Sequence, residues 1–599
     1  MLESLYKKVT DRRYNSFIYV IAGLFMLLVL RLFVLQLIDG EHYRELADGN
    51  RIRQMTIQAT RGVLLDRNGE IIVGSRPVYI VSYTPQQKPM DAALEARLAN
   101  VLQMTPADIQ KKIKDHGTSF GPVPIKVDIG PDIVAKIEEY RAEYPGVTIE
   151  VQPLRYYPYG SLAANVIGYV GEAGQEDRKP DGSEFAPGTI VGRAGLELYY
   201  NDLLQGETGG RQVEVDATGR PVKNIEEAPI TPGHNLRLTL DLPLQRATEA
   251  AISEHLSELA KSHIWPTGVA AVALDPNTGA VLAMANWPSF NPNSFAVGIS
   301  AKEWQDLNEN SLRPFDDRVV SGTYPPGSIF KVITGTAALN AKVVTPEERI
   351  YDNGRHWLID KRNAAGEAFG WINFQEAMAK SDNVYFYELG NRLGIDRISE
   401  MARAFGLGEA TGIDLYGEAS GLVATEQYKK EVFHDDWYLG ETFDAAIGQS
   451  FNLATPLQMA SVVSQIANGG PRYKPYLVSR INHLDGSPYQ IHQPQVAGRL
   501  VVPKSVLDTV KRSMWAVTQE GGTAGALFHG YPIEVGGKTA TAETGDGPDH
   551  AWFAAFAPYD HPQIVIVVLV EHAGYGIESA APIVKQMLDA YFHIPTAKP

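Results

Sequence analysis

TYPPGSIFKVITGTAAL, residues Thr323–Leu339, decides how the rest of the chain is read. Two prolines and a glycine make a stiff approach. Good helix formers and β-branched residues come next, so the spacing predicts that Ser328 sits in the first turn of a helix. Lys331, three positions on, then shares its face. A serine hydroxyl is a weak nucleophile at neutral pH until a base takes its proton. A lysine amine can be that base when burial and a second cation depress its pKa. The helix N-terminus adds stabilisation for negative charge developing beside it. Ser-x-x-Lys alone carries little, because Ser4-Leu-Tyr-Lys7 fits it too. Two later segments add weight. KSDNVYFYELG holds Ser381-Asp382-Asn383, which taken singly reads equally as a helix cap or Asx turn. EVGGKTATAET, Glu534–Thr544, holds Lys538-Thr539 and reads either as a plain strand of small residues or as the wall of a site. Three weak signals in one order, inside one domain-sized stretch, make a strong one.

Around these segments, LRLTLDL reads as a strand and LPLQRATEAAISEHLSELAKSH as an amphipathic helix. GVAAVALDPNTGAVLAMAN reads as two apolar strands about a Pro-Asn-Thr-Gly turn. After a helix-rich middle, strands return in IEVGGKTATAE, HAWFAAFAP and QIVIVVLVE, and APIVKQMLDAYF closes as a helix. This pattern predicts an α/β (α+β) domain, residues 233–599, with a largely antiparallel sheet whose central strands are buried on both faces. Before it, 39–232 reads as a mixed α+β pedestal. There RGVLLDRNGEIIVGS carries a hairpin signal at Asn68-Gly69, the pair a type I′ turn prefers.

Phe17–Ile38 is a run of Leu, Val, Ile and Phe that at about 1.5 Å per residue crosses roughly 30 Å of hydrocarbon. It is too long for a cleaved signal peptide, and no small-x-small site comes after it. Lys7, Lys8, Arg12 and Arg13 precede it, so the positive-inside rule places residues 1–16 in the cytoplasm and exports the rest. A single-pass anchor in the cytoplasmic (inner) membrane, 17–38, is the expectation. The 599 residues carry a formal net charge of −16 and no Lys/Arg run, which argues against a nucleic-acid partner. The chain has no cysteine, which excludes disulfides, thiol nucleophiles and cysteine-ligated metals. Asp352, His356 and Asp360 are irregularly spaced for a metal site, and no metal or cofactor is expected.

At Ser328-x-x-Lys331, Ser381-x-Asn383 and Lys538-Thr539 the chain resembles the penicillin-interacting serine acyltransferases, whose set is S-x-x-K, S-x-N and K-T/S-G. The resemblance reaches further. RGVLLDRNG, RYYPYGSLAANVIGYVG and VGRAGLELYYNDLLQG look like class B penicillin-binding proteins. YPPGSIFK, SDNVYFY, TGIDLYGEASG and AIGQSFNLATPLQMA look most like their elongation-type group, penicillin-binding protein 2. The Glu-x-x-Leu-Asn segment of class A β-lactamases is missing: Glu303–Asn308 has the wrong spacing and precedes Ser328. A preceding glycosyltransferase domain finds only Glu176-Asp177-Arg178 in loop sequence. The third motif has Ala540 where the family usually has glycine.

The resemblance implies a serine β-lactamase-like transpeptidase fold and a D,D-transpeptidase of cell elongation. Ser328 would attack the penultimate D-Ala carbonyl of a peptidoglycan stem peptide ending in D-Ala-D-Ala, with Lys331 as base. Ser381 would relay protons to the leaving D-Ala, and Asn383 would position the acyl chain and Lys331. Lys538 would supply a cation, and Thr539 and Thr541 would receive the substrate carboxylate. The backbone N–H groups of Ser328 and Thr541 would form the oxyanion hole. β-Lactams would acylate Ser328, and a SEDS-family glycosyltransferase with other elongation-complex membrane proteins would be the partners. The alternatives are a D,D-carboxypeptidase, in which water takes the acyl group, or a non-catalytic β-lactam sensor or scaffold.

Overall fold

The computed structural model describes residues 2–41, 52–57, 59–85, 90–115, 122–174, 176–179, 182–185, 188–215, 221–364, 366–545 and 547–595. The side chains of residues 2–13, with their basic cluster, lie outside this description. Two compact units emerge, and neither is continuous in sequence. One gathers 1–59, 78–152 and 207–231; the other gathers 60–77, 153–206 and 232–599. The stretch 39–232 therefore contributes to both.

In the first unit, a helix over Leu2–Phe33 continues as one wide turn through Val34–Ile38. Ser16–Ile38 is strongly apolar, interrupted by Arg31 and Gln36 near its end, and none of it is buried, the length and composition of a membrane span. Ile52–Ile57, Gly209–Val215 and Pro221–Ala228 form an antiparallel three-stranded sheet. A separate small core joins Val81 and Tyr83 to Leu94, Leu98 and Leu102 of one helix and Ile109 of the next.

In the second unit, Leu64–Leu65 pairs antiparallel with Ile71–Val73 around the expected Asn-Gly turn. The turn is not type I′, however: only Gly69 has positive φ, +101°. Asp66 dictates the difference. Its backbone N–H bonds Glu70 O at 2.8 Å, and its carboxylate accepts from the N–H groups of Asn68 (2.7 Å) and Glu70 (2.8 Å). The result is a longer loop with a left-handed glycine at its end. Nearby, Glu197 is fully buried between two guanidinium groups, Arg61 Nε and Arg155 Nε, each 2.6 Å away. Burial alone would lift the Glu197 carboxyl, but Arg155 and Arg61 hold it below its ordinary range.

The core of this unit is a five-stranded sheet. In chain order the elements that frame it are α1 (Leu242–Lys261), β1 (Val269–Leu274), β2 (Val281–Trp287), α2 (Lys331–Asn340), α3 (Phe374–Lys380) and α4 (Asn383–Leu393). They continue with α5 (Pro456–Ala467), α6 (Lys504–Ala516), β3 (Gly536–Ala542), β4 (His550–Ala557), β5 (Ile564–Val570) and α7 (Ala581–Tyr591). The strand order is β2-β1-β5-β4-β3, every pair antiparallel. Helices α1 and α7 pack together against the sheet, and α5 packs on β1, β5 and β4. Because helices cover both faces, the central strands need no polar alternation. VAAVAL and IVIVVLV are buried at every position. Helix α5 is buried at all 12 residues and starts from a capping box in which Thr455 and Gln458 satisfy each other's backbone N–H groups. Strand β3 lies at the sheet's end and opens with Gly536-Gly537. A Cβ on Gly536 would stand 2.2 Å from the Phe556 ring of β4, so glycine lets the strand dock under that ring.

Candidate active site

Ser328 lies in a 3-10 turn, Gly327–Phe330, and α2 begins only at Lys331. The sequence pattern puts Ser328 inside the helix; Gly327, at φ +53°, instead tightens the approach. Residues three apart eclipse one another in a 3-10 turn, so Ser328 and Lys331 still share a face. The turn is held from several sides. Gly327 N–H donates to Gly448 O at 3.0 Å, and Tyr324 exchanges backbone hydrogen bonds with Ala454 at 3.0 and 2.9 Å. The Tyr324 hydroxyl donates to Glu571 Oε1 (2.7 Å), which also receives Arg318 Nε (3.0 Å). Ser328 is half-buried, whereas Lys331 is completely buried.

Ser381 and Asp382 link α3 to α4, and Asn383 opens α4. Ser381 terminates α3 in the left-handed region, φ +57°. Asp382 caps α4 by accepting from Tyr385 N–H at 3.1 Å, and Asn383 is the first helical residue. The motif caps α4, and the same geometry turns its polar atoms towards Lys331. Reversing the chain in three residues aims the Ser381 carbonyl, the Ser381 hydroxyl and the Asn383 amide oxygen at one point.

That point is the Lys331 amine. It donates to Ser381 O and Asn383 Oδ1, both at 2.7 Å, with Ser381 Oγ at 3.4 Å. From β3, Lys538 donates to the same Ser381 Oγ at 2.8 Å and to Thr539 O at 2.9 Å. One hydroxyl therefore lies between two buried amines. Burial pushes the Lys331 amine down to about 7, against the opposing pull of the Asp382 carboxylate. Burial also pushes Lys538 well below its ordinary value, and the charge of Lys331 pushes it further. Burial raises the Asp382 carboxyl to about 6, with the Asp352 charge acting the same way. A neutral amine has two N–H bonds and one lone pair. In the neutral form the two 2.7 Å acceptors take both N–H groups of Lys331, and the lone pair has only the long 3.4 Å contact to Ser381 Oγ.

Thr539 joins this site through a hydroxyl pair with Thr523, Oγ1 to Oγ1 2.9 Å. Among the described residues, the side chains of Ser328 and Thr541 make no hydrogen bond to the network. They flank it: a Cβ built on Gly327 would lie 3.0 Å from Thr541 O and 3.3 Å from Ala540 Cβ. The methyl of Ala540 is thus accommodated directly against the turn that carries Ser328.

The sequence motifs do not reveal the residues behind the site. Asn363 Oδ1 accepts from the N–H groups of Asn383 (2.8 Å) and Val384 (3.2 Å). Its own amide donates to Asp352 Oδ2 at 2.9 Å. Asp352 is buried and accepts from Gly354 N–H (2.6 Å) and Phe369 N–H (2.9 Å) as well. His356 instead bonds Glu388 Oε2 at 3.0 Å, and Asp360 pairs with Arg362 at 2.9 and 3.0 Å. Asp352, His356 and Asp360 thus have separate partners.

Residues 269–589 match the model of the penicillin binding protein transpeptidase domain, and 56–238 that of the penicillin-binding protein dimerisation domain. The chain belongs to the penicillin-binding protein transpeptidase family. Among curated relatives, the peptidoglycan D,D-transpeptidase MrdA of Escherichia coli K12 is 32% identical over 598 residues, covering 94% of this chain and 91% of the relative. The Haemophilus influenzae protein of the same name is 30% identical over 592 residues, covering 94% and 88%. Among solved structures, PBP2 of Helicobacter pylori in complex with MreC has a TM-score of 0.78 at 27% identity, covering 91% of this chain and 99% of that one. A chain from a structure described as "Structural coordination of polymerization and crosslinking by a peptidoglycan synthase complex" has a TM-score of 0.73 at 33% identity, covering 98% and 99%. Within its family the chain is thus similar to the PBP2 group.

Proposed function

We propose that the chain is a peptidoglycan D,D-transpeptidase of cell elongation that works through a Ser328 acyl-enzyme. The observation that carries this reading is the Lys331–Ser381–Lys538 network, buried beside Ser328. Lys331, kept near neutrality with its lone pair unspent, takes the Ser328 proton as Oγ attacks the penultimate D-Ala carbonyl. The carbonyl oxygen develops negative charge, which the backbone N–H groups of Ser328 and Thr541 receive. Collapse breaks the D-Ala–D-Ala amide bond. Ser381, bonded to Lys538, hands a proton to the leaving nitrogen and recovers it from the lysine pair. An amine of a second stem peptide then attacks the ester, forms the cross-link and releases Ser328. Thr539, ordered by Thr523, and Thr541 receive the terminal carboxylate.

The N-terminal span is proposed to anchor the chain in the cytoplasmic membrane, with 1–16 inside, 39–232 as pedestal and 233–599 outside as the transpeptidase domain. The basic residues before the span support that orientation. The similar structures are of a PBP2–MreC complex and of a peptidoglycan synthase complex, which supports partnership with other elongation proteins, a SEDS-type glycosyltransferase among them. The test is labelling with a fluorescent penicillin. Wild type and Ser4→Ala label, and Ser328→Ala does not; labelling that survives Ser328→Ala sinks the assignment. Incubation with un-crosslinked peptidoglycan and its glycosyltransferase then yields cross-linked dimers, whereas trimmed tetrapeptides alone would favour carboxypeptidase action.

A further inference from the structure

Beside the first turns of α4 lies a cavity of about 380 Å³ that the acyl-transfer chemistry does not use. Part of its wall is the hairpin of Ile350–Asp352 with Gly370–Ile372, which sets Tyr351 directly opposite Trp371. Their ring centres are 5.3 Å apart, and the residues are 56% and 62% exposed. Side chains alternate along a strand, so the buried Asp352 points the other way, towards Asn363. The third ring, Trp357, is 75% exposed. Its orientation is nevertheless fixed, because its indole N–H donates to Glu388 Oε2 at 3.2 Å, the oxygen that also holds His356. Three large aromatic rings left in water around one concavity are a surface that core packing does not explain. Of the arginines there, Arg349 is engaged by Glu376, and Arg392 by Glu348 and Glu388. Arg355 enters no ion pair among the described residues.

The geometry points to a binding site for the glycan of a peptidoglycan strand. The C–H faces of amino-sugar rings stack on Trp357, Trp371 and Tyr351, and a stem-peptide carboxylate sits on Arg355. This inference rests on the proposed transpeptidase function. Flat, amphipathic rings with a polar rim suit a sugar ring, which has apolar faces and hydroxyl edges. A guanidinium with no ion pair among the described residues suits a carboxylate; the one carboxylate that feels its charge, Asp360, is already bonded to Arg362. The position suits the reaction too. Val384 lines the cavity, and the preceding residue, Asn383, holds the Lys331 amine. The cavity wall thus adjoins the residue that holds the proposed base.

The experiment uses the full chain in detergent and calorimetric titration. The probes are an un-crosslinked tetrasaccharide bearing tetrapeptides, an N-acetylglucosamine tetramer and the free tetrapeptide. Trp357→Ala and Trp371→Ala are expected to weaken binding of both sugar probes at least tenfold while penicillin labelling of Ser328 stays intact. Trp357→Phe, which keeps a ring, retains most of the affinity. Arg355→Ala weakens binding of the peptide-bearing probe but not of the bare sugar. Wild-type affinity in all four variants, or free tetrapeptide binding as tightly as the glycan probe, overturns the site. Absent penicillin labelling of wild type with sugar binding intact would instead fail the proposed activity and leave this site standing.

Discussion

The pH dependence of Ser328 acylation is the most direct consequence of the buried lysine pair. Lys331 must be neutral to accept a proton, and burial brings its pKa down to about 7. With that value about one tenth of the amine is neutral at pH 6 and about nine tenths at pH 8, so the rate rises about tenfold and then levels off. An ordinary lysine, with a pKa near 10.4, would give about a hundredfold rise over the same interval and no plateau below pH 9. Shape, not absolute rate, separates the two. Asp382 supplies a second handle. Its carboxylate favours the charged form of Lys331, so Asp382→Asn moves the inflection to lower pH. The assay is stopped-flow acylation by a fluorescent penicillin from pH 5.5 to 9.5. A rate that climbs log-linearly through pH 9, or one that ignores pH, refutes Lys331 as the base.

Individual contacts give four further outcomes. Lys538→Ala removes the bonds to Ser381 Oγ and Thr539 O, and acylation should fall on the order of a hundredfold with little change in melting temperature. Asp352→Ala strips three donors of a buried acceptor, at about 1–3 kcal/mol for each group left unsatisfied. It should lower the thermal midpoint by several degrees and slow acylation by loosening Asn383. Gly327→Ala should cost about 1–2 kcal/mol for its left-handed backbone and crowd Ala540, slowing acylation. Adding Ala540→Gly should recover part of that loss, whereas strict additivity in a double-mutant cycle would show that the methyl carries no message. Glu197→Gln leaves two guanidinium groups facing each other in the core, and thermal denaturation should report a loss of about 3–5 kcal/mol.

The sheet was legible because helices cover both of its faces. Uninterrupted runs such as Ile564–Val570 can mean little else when turns bound them. Lys331, Ser381, Asn383 and Lys538 were legible because each belongs to a short motif whose order is preserved, and the structure gathers them in one network. Asp352, Asn363 and Thr523 were not, because their roles depend on partners distant in sequence. An Asp-Asn pair in a loop looks like any turn until the chain folds it under α4. The 3-10 turn at Ser328 was also hidden. Its cause is the left-handed Gly327 together with the close approach of Gly448, where a Cβ would stand 2.3 Å from Gly327 O. The non-contiguous units escaped for the same reason: hydrophobic periodicity reports which face of an element is buried, not which partner buries it.

Strand β3 has a neighbour on one side only, β4, and its own sequence is nearly all glycine, alanine and threonine. A terminal strand with such small side chains offers a ligand its amide backbone more than its surface chemistry. An extended peptide laid along it would be recognised by groups that every residue possesses. Tolerance of varied stem peptides is one consequence, because the side chains of the donor would go largely unread. A vulnerability is another. An inhibitor that borrows main-chain contacts is hard to evade by exchanging the residues that supply them, since any replacement but proline brings the same N–H and C=O. Escape would have to come from reshaping the strand itself, and its two opening glycines, Gly536 against Phe556 and Gly537 against Phe553, leave little room for that.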